Sequence, residues 1–595
     1  MQIQPTLLVA DMIIVNHFGL KNPAISFYLA YCGILVYAIR ENARQVCYTM
    51  GLKMRYLNLK QQIREVRMLA IRGIAEAGSG HPGASFSAAE IMGGLYFRKM
   101  RHDPLKPDWH ERDYFVNSKA HSAPGFFATL AVSGYFPISE MDTLRKFGAR
   151  LQGHPVRYSK EQEKHSVPGI EYSGGSEGIG LSVSLGIALA TRLDGKKNHI
   201  FTLIGDGESN EGQVWEAAMA ASKFKLDNVT AILDRNRIQQ DGFTEDIMPL
   251  DPVRDKWIAF NWNVVEIDGH KVEQLIEAIN KAYEVKDKPT IIIANTIKGY
   301  GIKHMTNNPQ WHGKAPPKKH IPILLQELQS EFLIAPSIIA GKRENYEEKI
   351  RIAERCGADM IHLDVMDGKF VPNTTFFADT IRKLRPLTNL PFDVHLMIED
   401  PLEHIQEYID ARCDIVTVHA EACTEDSFSV ITSELLENGI SPGIAINPST
   451  NIPSWLYHHL SEIDVIIVMS VNPGSAGQKF IPEILPKMRT IGQDLREHNF
   501  VGYLEADGGI DAMTLREVYG AGARIMVAGS AVYGSSDING AIIQLKHTAN
   551  VALERTLLEN ASQIGTRLDW IKARKHILIP FASELGIEEE IHAIK

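Results

Sequence analysis

Two apolar runs, Ile200–Ile204 and Val229–Leu233, each break into a short polar turn, and this pairing narrows what the chain can fold into. The first run ends at Gly205-Asp206-Gly207 and the second reaches Asn236. A helix-length segment lies between them. Strand–helix–strand units build parallel sheets, whose ligands collect at the carboxyl edge. A carboxylate and an amide oxygen there can hold a hard divalent cation that keeps phosphate oxygens among its other ligands. The two glycines let the backbone come close to a phosphate. The stretch from Leu203 to Gly242 is expected to hold a metal–diphosphate.

The same alternation surrounds it. Lys60–Ala77 has helical spacing (Ile63, Val66, Leu69, Ala70, Ile74), and a second helix is expected from Ser87 to about Arg98. Asp113–Ser118, Asn263–Ile267 and Thr290–Thr296 read as strands, with helices at Leu181–Leu193 and Val272–Val285. This predicts a parallel sheet covered by helices on both faces. The proline- and lysine-rich stretch Trp311–Lys319 marks a domain exit. Beyond it the rhythm restarts. Eight candidate strands, Leu333–Ile338, Met360–Val365, Phe392–Met397, Ile415–His419, Gly443–Ile446, Val465–Met469, Leu504–Asp507 and Arg524–Ala528, alternate with helical segments. Polar residues close nearly every run, which favours a (β/α)8 barrel over an open doubly wound sheet. The expected division is a 1–56 extension, an α/β domain over 57–320, a linker helix over 321–331, a barrel over 332–550 and a helical tail over 551–595.

With 595 residues, two or more domains are expected. The net charge of −10 argues against a nucleic-acid coat, and no nucleic-acid partner is expected. Five cysteines without CxxC spacing fit reduced thiols in a cytoplasmic protein. Ala24–Ile39 is nearly all apolar but shorter than the ~20 residues of a spanning helix, so no membrane partner is expected. It reads as a buried or partner-facing helix, or as the result of a start codon set too early.

In its first half the chain resembles the amino-terminal, thiamine diphosphate-binding subunit of split transketolases. The matching blocks are Ser79–Gly83, Ser118–His121, Gly153–Pro155, Gly205–Gly212, Asp234–Asn236, Lys298–Gly301 and His312-Gly313. The resemblance implies thiamine diphosphate with Mg²⁺ or Ca²⁺, held by Asp206, Asn236 and the Ile238 carbonyl. Gly175 and Gly207 would approach the diphosphate by backbone, His121 and His154 would line the cofactor, and Glu211 would hydrogen-bond near it or across a dimer. His81 and His312 would move hydroxyl protons, which imidazole does well near neutral pH. Three positions depart from the family pattern: Ala120, Glu177 and Ile179. Nothing after Pro316 resembles the family's second, pyrimidine-binding domain. A separate carboxyl-terminal transketolase subunit is therefore an expected partner, as is a homo-oligomer.

The second half resembles ribulose-phosphate 3-epimerase, through Ala335–Ile338, His362–Phe370, His395–Met397, Val471–Gly474, Gly477–Phe480, Asp507–Ile510 and Gly529–Ala531. Inverting C3 of a ketose phosphate removes a proton α to a ketone. A cation beside the C2 oxygen stabilises the enediolate, and the two faces need a base and an acid. The resemblance gives those roles to Asp364 and Asp507, with Ser337 assisting. His362 and His395 would join both aspartates around one Zn²⁺, Fe²⁺, Mn²⁺ or Co²⁺. Met366, Met397 and Met469 would form an apolar wall, and Gly474, Gly477, Gly509, Gly529 and Ser530 would hold the phosphate. Ser475-Ala476 departs from the family's phenylalanine-glycine, so a ketohexose phosphate of the allulose 6-phosphate type is a second substrate reading. Together the halves imply a bifunctional enzyme acting on sugar phosphates; a non-catalytic scaffold is the alternative.

Overall fold

The computed structural model describes residues 56–594 apart from 241, 342–344, 499 and 501. The 1–56 extension, with the apolar segment Ala24–Ile39, lies outside the described residues but for position 56. Among the described residues no helix is long and apolar enough to cross a membrane.

The first helix, Tyr56–Ala77, ends at Gly78, whose left-handed φ of 64° reverses the chain. The second expected helix is divided. Pro82–Ser87 and Ala89–Gly94 are separate helices, and Leu95–Lys99 forms a π turn. Gly93 and Gly94 lie against Ile63 and Leu275, where a side chain would collide at 2.4 and 2.8 Å. This close helix packing leaves no periodic signal in the sequence.

Five parallel strands follow: β1 (Tyr114–Asn117), β2 (Ile200–Gly205), β3 (Val229–Arg235), β6 (Asn263–Asp268) and β7 (Thr290–Asn295). They lie in the order β1-β2-β3-β7-β6. A two-stranded antiparallel pair, β4 (Ile238–Gln239) and β5 (Gly242–Phe243), interrupts the series. Every residue of β2 and β3 is buried, as expected for a central parallel strand with helices on both faces. Their register sets Gly205 beside Asp234, so the turns carrying Asp206 and Asn236 emerge together at one edge.

The helix Ile321–Gln329 connects to eight parallel strands: β8 (Leu333–Pro336), β9 (Ile361–Met366), β10 (Phe392–Met397), β11 (Ile415–His419), β12 (Ser441–Ile446), β13 (Val465–Met469), β14 (Tyr503–Asp507) and β15 (Ile525–Ala528). They run in sequence around a ring, with β8 beside β15. A parallel bridge between Ser337 and His362, with the Ile338 N–H donating to the His362 carbonyl at 3.3 Å, joins β8 to β9. The barrel thus closes on two of its candidate site residues. Its interior is a packed core of Leu333, Ala335, Ile415, Val465, Ile467 and Ile525.

Leu57 of the first helix is buried in that same core, at the end where the strands begin. Arg64 reaches Glu331 at 3.0 Å and hydrogen-bonds the Tyr503 hydroxyl at the start of β14. The α/β half therefore covers the barrel's amino-terminal face. Beyond the barrel, Ile538–Gln563 and Arg567–Leu578 form two tail helices that pack together. The fully buried Arg574 pairs with Glu327 at 2.7 Å and Glu554 at 2.6 Å, and Lys303 adds a second cation at 3.0 Å from Glu554. His304 lies 3.3 Å from Arg574 and packs edge-on against Trp311 and Trp570. The tail thereby supports the loop that carries His312.

Candidate active sites

At the edge of the five-stranded sheet, Asp206 follows β2 and Asn236 follows β3, both buried. Asp206 Oδ1 has the Arg235 guanidinium at 3.3 Å but no hydrogen bond, while Oδ2 accepts from the Arg237 N–H. Burial pushes the Asp206 carboxyl up to about 6, against the pull of Arg235. A buried carboxylate with an unsatisfied oxygen is a poor neighbour for apolar core and a good one for a cation. Asn236 Oδ1 accepts the Ile238 N–H at 3.1 Å, and the Ile238 carbonyl accepts from Lys298 Nζ at 3.1 Å. The three oxygen atoms expected around a cation thus come from two adjacent turns, after β2 and after β3, at one edge of the sheet. Gly207 lies against Gln239, where a Cβ would come within 2.9 Å of the glutamine Cβ.

His81, His121 and His312 form one cluster, with ring centroids 5.2 to 5.4 Å apart. Burial lowers all three; Arg145 adds to this at His81, which falls to about 4, Lys119 at His121 and Lys298 at His312. Neutral imidazoles can both give and take a proton, which suits work on hydroxyls. Lys298 Nζ also contacts His312 Nδ1 at 2.7 Å, and burial brings its amine down to about 7. His154 is more exposed and lies beside Gly175, outside the three-ring contact. Glu211 is exposed and precedes the helix Gly212–Lys223. The family departure Glu177 pairs with His121 at 2.8 Å. Glu208 was not singled out by the sequence. Its carboxylate accepts from Ser118 and from the Gly178 and Gly205 N–H groups, tying the two glycine-rich turns together, and burial lifts it to about 7.

In the barrel, His362, Asp364, His395 and Asp507 converge with one donor atom each inside 4.8 Å. They come from β9, β10 and β14, where alternation aims side chains two apart into the barrel. His362 Nε2 stands 3.4 Å from Asp364 Oδ1 and 3.9 Å from Asp507 Oδ2. His395 Nδ1 stands 3.5 and 3.3 Å from the same two atoms. Neither nitrogen has a hydrogen-bond partner. Two imidazole nitrogens and two carboxylate oxygens facing one point, all buried, fit a divalent ion. Burial opposes charge on Asp364, but His362 and His395 outweigh it and hold the carboxyl well below its usual range. Ser337 Oγ donates to Asp364 Oδ2.

The cavity above these groups is lined by most of the other expected residues: Ser337, Met366, Met397, Met469, Gly474, Gly477, Gly509, Gly529 and Ser530. Gly509 has φ of 66°, and a Cβ there would meet the Phe480 backbone nitrogen at 2.6 Å, so this turn admits only glycine. His362 and His395 lie beneath the cavity floor, fully buried.

The sequence motifs missed a lower layer. Asp393 Oδ2 holds His362 Nδ1 at 2.7 Å, and Glu505 Oε1 is 3.4 Å from the same nitrogen. Burial, with the Asp393 charge, raises the Glu505 carboxyl well above its usual range. His419 contacts His395 from β11; burial lowers this histidine to about 4, and burial notwithstanding, its hydrogen bonds hold Glu421 down at about 2. The available signal was the strand period: Asp393 and Glu505 each precede a candidate ligand by two residues and so face the same way.

The fold and these sites define a parallel α/β half with a buried carboxylate–amide edge, joined to a closed eight-stranded barrel with a buried two-histidine, two-aspartate centre. The transketolase thiamine diphosphate binding domain matches residues 59–352, and the ribulose-phosphate 3 epimerase family matches residues 333–533. The 6-deoxy-6-sulfo-D-fructose transketolase subunit of Clostridium sp. (strain MSTE9) is 44% identical over 41% of this chain and 86% of its own. An apulose-4-phosphate transketolase subunit of Actinobacillus succinogenes is 38% identical over 46% of this chain and 98% of its own. The transketolase of Pongo abelii is 38% identical over 50% of this chain, but the match spans only 46% of that protein. The chain belongs to the transketolase family as an amino-terminal subunit, fused to a ribulose-phosphate 3 epimerase family domain.

Proposed function

We propose that the chain serves two consecutive steps on a ketose phosphate. The barrel inverts C3 of D-ribulose 5-phosphate to give D-xylulose 5-phosphate. The amino-terminal half supplies the cofactor-binding part of a transketolase that takes this product as donor of a two-carbon ketol unit. The observation that carries the first step is the buried convergence of His362, Asp364, His395 and Asp507 beneath a glycine- and methionine-lined cavity.

A divalent ion held by these four groups would polarise the substrate ketone and stabilise negative charge on the enediolate. Asp364 and Asp507 each keep a second carboxylate oxygen for the substrate, one on each side of C3. One takes the C3 proton and the other returns a proton to the opposite face. Ser337 orients the Asp364 carboxylate through its hydrogen bond. Met366, Met397 and Met469 exclude water from the intermediate. Gly474, Gly477, Gly509, Gly529 and Ser530 bind the phosphate, in the position barrels commonly use.

In the other half, Asp206, Asn236 and the Ile238 carbonyl hold Mg²⁺ or Ca²⁺, and Gly175 and Gly207 approach the diphosphate. Thiamine diphosphate, when bound, supplies the carbanion-stabilising carbon chemistry. His121 and His154 face the cofactor, His81 and His312 handle substrate hydroxyl protons, and Glu211 acts near the cofactor or across a dimer. A separate carboxyl-terminal subunit provides the pyrimidine-binding side; two relatives matched over 86% and 98% of their own length, themselves named as transketolase subunits, support this. Those relatives are named for a sulfofructose and for apulose 4-phosphate. With Ser475-Ala476 in the phosphate loop, they favour a second reading in which the substrates are other ketose phosphates, ketohexose phosphates included.

The test is proton exchange in D₂O followed by NMR, with the purified chain and a divalent metal. Exchange at C3 of D-ribulose 5-phosphate supports the pentose reading, and exchange only with allulose 6-phosphate supports the hexose reading. No exchange with either sinks the epimerase assignment. Ketol transfer that needs an added carboxyl-terminal subunit supports the second step; transfer by the chain alone refutes the half-site reading.

A further inference from the structure

His419 closes β11 with its side chain fully buried, and it touches only one of the four convergent groups, His395. The two Nε2 atoms are 2.9 Å apart and the rings stack at 4.9 Å between centroids. On its far side, His419 Nδ1 lies 3.2 Å from Glu421 Oε2. The other oxygen of Glu421 accepts the Asn447 N–H at 3.0 Å, which anchors the carboxylate at the barrel rim.

The polarity of this chain of contacts follows from donor counting. A carboxylate only accepts, so the hydrogen of the Glu421–His419 contact sits on His419 Nδ1. A contact between two ring nitrogens needs one N–H and one bare nitrogen. With its proton on Nδ1, His419 offers a bare Nε2, so His395 Nε2 carries the hydrogen between them. That leaves Nδ1 of the neutral His395 ring, the form that binds a metal, bare. Nδ1 is the atom that faces Asp364 and Asp507 and has no hydrogen-bond partner. The Phe370 ring packs 4.7 Å from His419.

We infer that Glu421 and His419 are positioning residues for the barrel's cation site: a Glu421–His419–His395 relay fixes the His395 tautomer and aims its bare Nδ1 at the ion. This rests on the reading of His395 as a ligand. Neither residue touches the substrate cavity. Partners of this kind commonly change metal affinity 10–100-fold.

The test is Co²⁺ titration of the full chain, followed by calorimetry and by visible absorption, with circular dichroism to confirm folding. His419→Phe keeps a stacked ring but cannot accept a hydrogen bond. His419→Gln places a carboxamide oxygen near the position of Nε2. Glu421→Leu removes the anchor without entering the core. Co²⁺ affinity is expected to fall about 10–100-fold in His419→Phe, to recover to within about threefold of the native protein in His419→Gln, and to fall about tenfold in Glu421→Leu. Native-like affinity in His419→Phe overturns the relay; where that variant does not fold, native-like affinity in Glu421→Leu does so. His395→Phe separates the two readings. Unchanged Co²⁺ binding in His395→Phe refutes the ligand set itself. Loss in His395→Phe with none in His419→Phe refutes the relay alone.

Discussion

Asp206→Asn should make the cofactor-free protein more stable at neutral pH. The carboxyl of Asp206 is pushed from an ordinary 3.8 to about 6, chiefly by burial. A group whose folded pKa is raised favours the fold in its protonated form. That contribution is complete below pH 3.8 and is lost as pH rises through about 6. Two pKa units correspond to about 3 kcal/mol, the ceiling on what ionised Asp206 costs the fold at pH 8. Asparagine has nearly the same shape, can still accept the Arg237 N–H, and carries no charge. Arg235 keeps Glu245 at 2.7 Å and Asp251 at 3.1 Å, so it is not stranded. Glu208 is raised as well, but it is common to both proteins and cancels. The assay is chemical denaturation in metal-free buffer across pH 5 to 8. The variant should gain up to about 3 kcal/mol at pH 8, and the gain should shrink as pH falls. Adding thiamine diphosphate and Mg²⁺ should stabilise the native protein and leave the variant unchanged. A variant less stable than the native protein at pH 8 without metal refutes the view that this carboxylate is a burden the cation relieves.

Asp364→Asn and Asp507→Asn should each lower C3 proton exchange by about 10²–10⁴-fold, the range lost with a general acid or base, as read by NMR in D₂O. Arg574→Met leaves Glu327 and Glu554 buried with too little positive charge, and a loss of about 3–5 kcal/mol is expected in urea denaturation. Gly509→Ala forces a side chain into the Phe480 backbone and should raise KM for the phosphorylated substrate far more than it lowers the folding midpoint. Removing bound metal with a chelator should abolish exchange, and Co²⁺ or Zn²⁺ should restore it.

The strands were legible because parallel strands buried on both faces are written as unbroken apolar runs. Val465–Met469 falls where such a run lies, while Phe392–Met397 keeps the strand length with Asp393 and His395 set into it. β12 begins at Ser441 rather than Gly443, since Pro442 occupies a strand start, a place where its missing N–H does no harm. The motif residues at strand ends were legible for the same reason: chemistry interrupts the apolar pattern. Asp393, Glu505 and His419 were not, because they sit within or at the close of runs that read as core. Their partners lie on neighbouring strands, and only register reveals that Asp393 stands beside His362. Glu177 is the converse case. The sequence marked it as a departure, but its pairing with His121 required the two loops to be brought together in space.

The way the halves join bears on how they can cooperate. Leu57, Arg64 and the Tyr503 hydroxyl make their contacts where the barrel strands begin. Asp364, His395 and Asp507 lie at the other end. Three to four residues from the strand starts, rising roughly 3.3 Å each, put on the order of 10 Å of packed side chains between the joining face and these groups. The interior side chains of that core are almost fully buried. The covered face is the one that serves stability in barrels of this kind, and the open face is the one that carries chemistry. Attaching a second domain there leaves the mouth unobstructed. On the function proposed, the ketose phosphate then leaves the barrel into solvent and reaches the second site by diffusion. What the fusion secures is equal numbers of the two sites and a shared, clamped scaffold, with Arg574 and the tail helices tying the barrel's last element to the loop that carries His312.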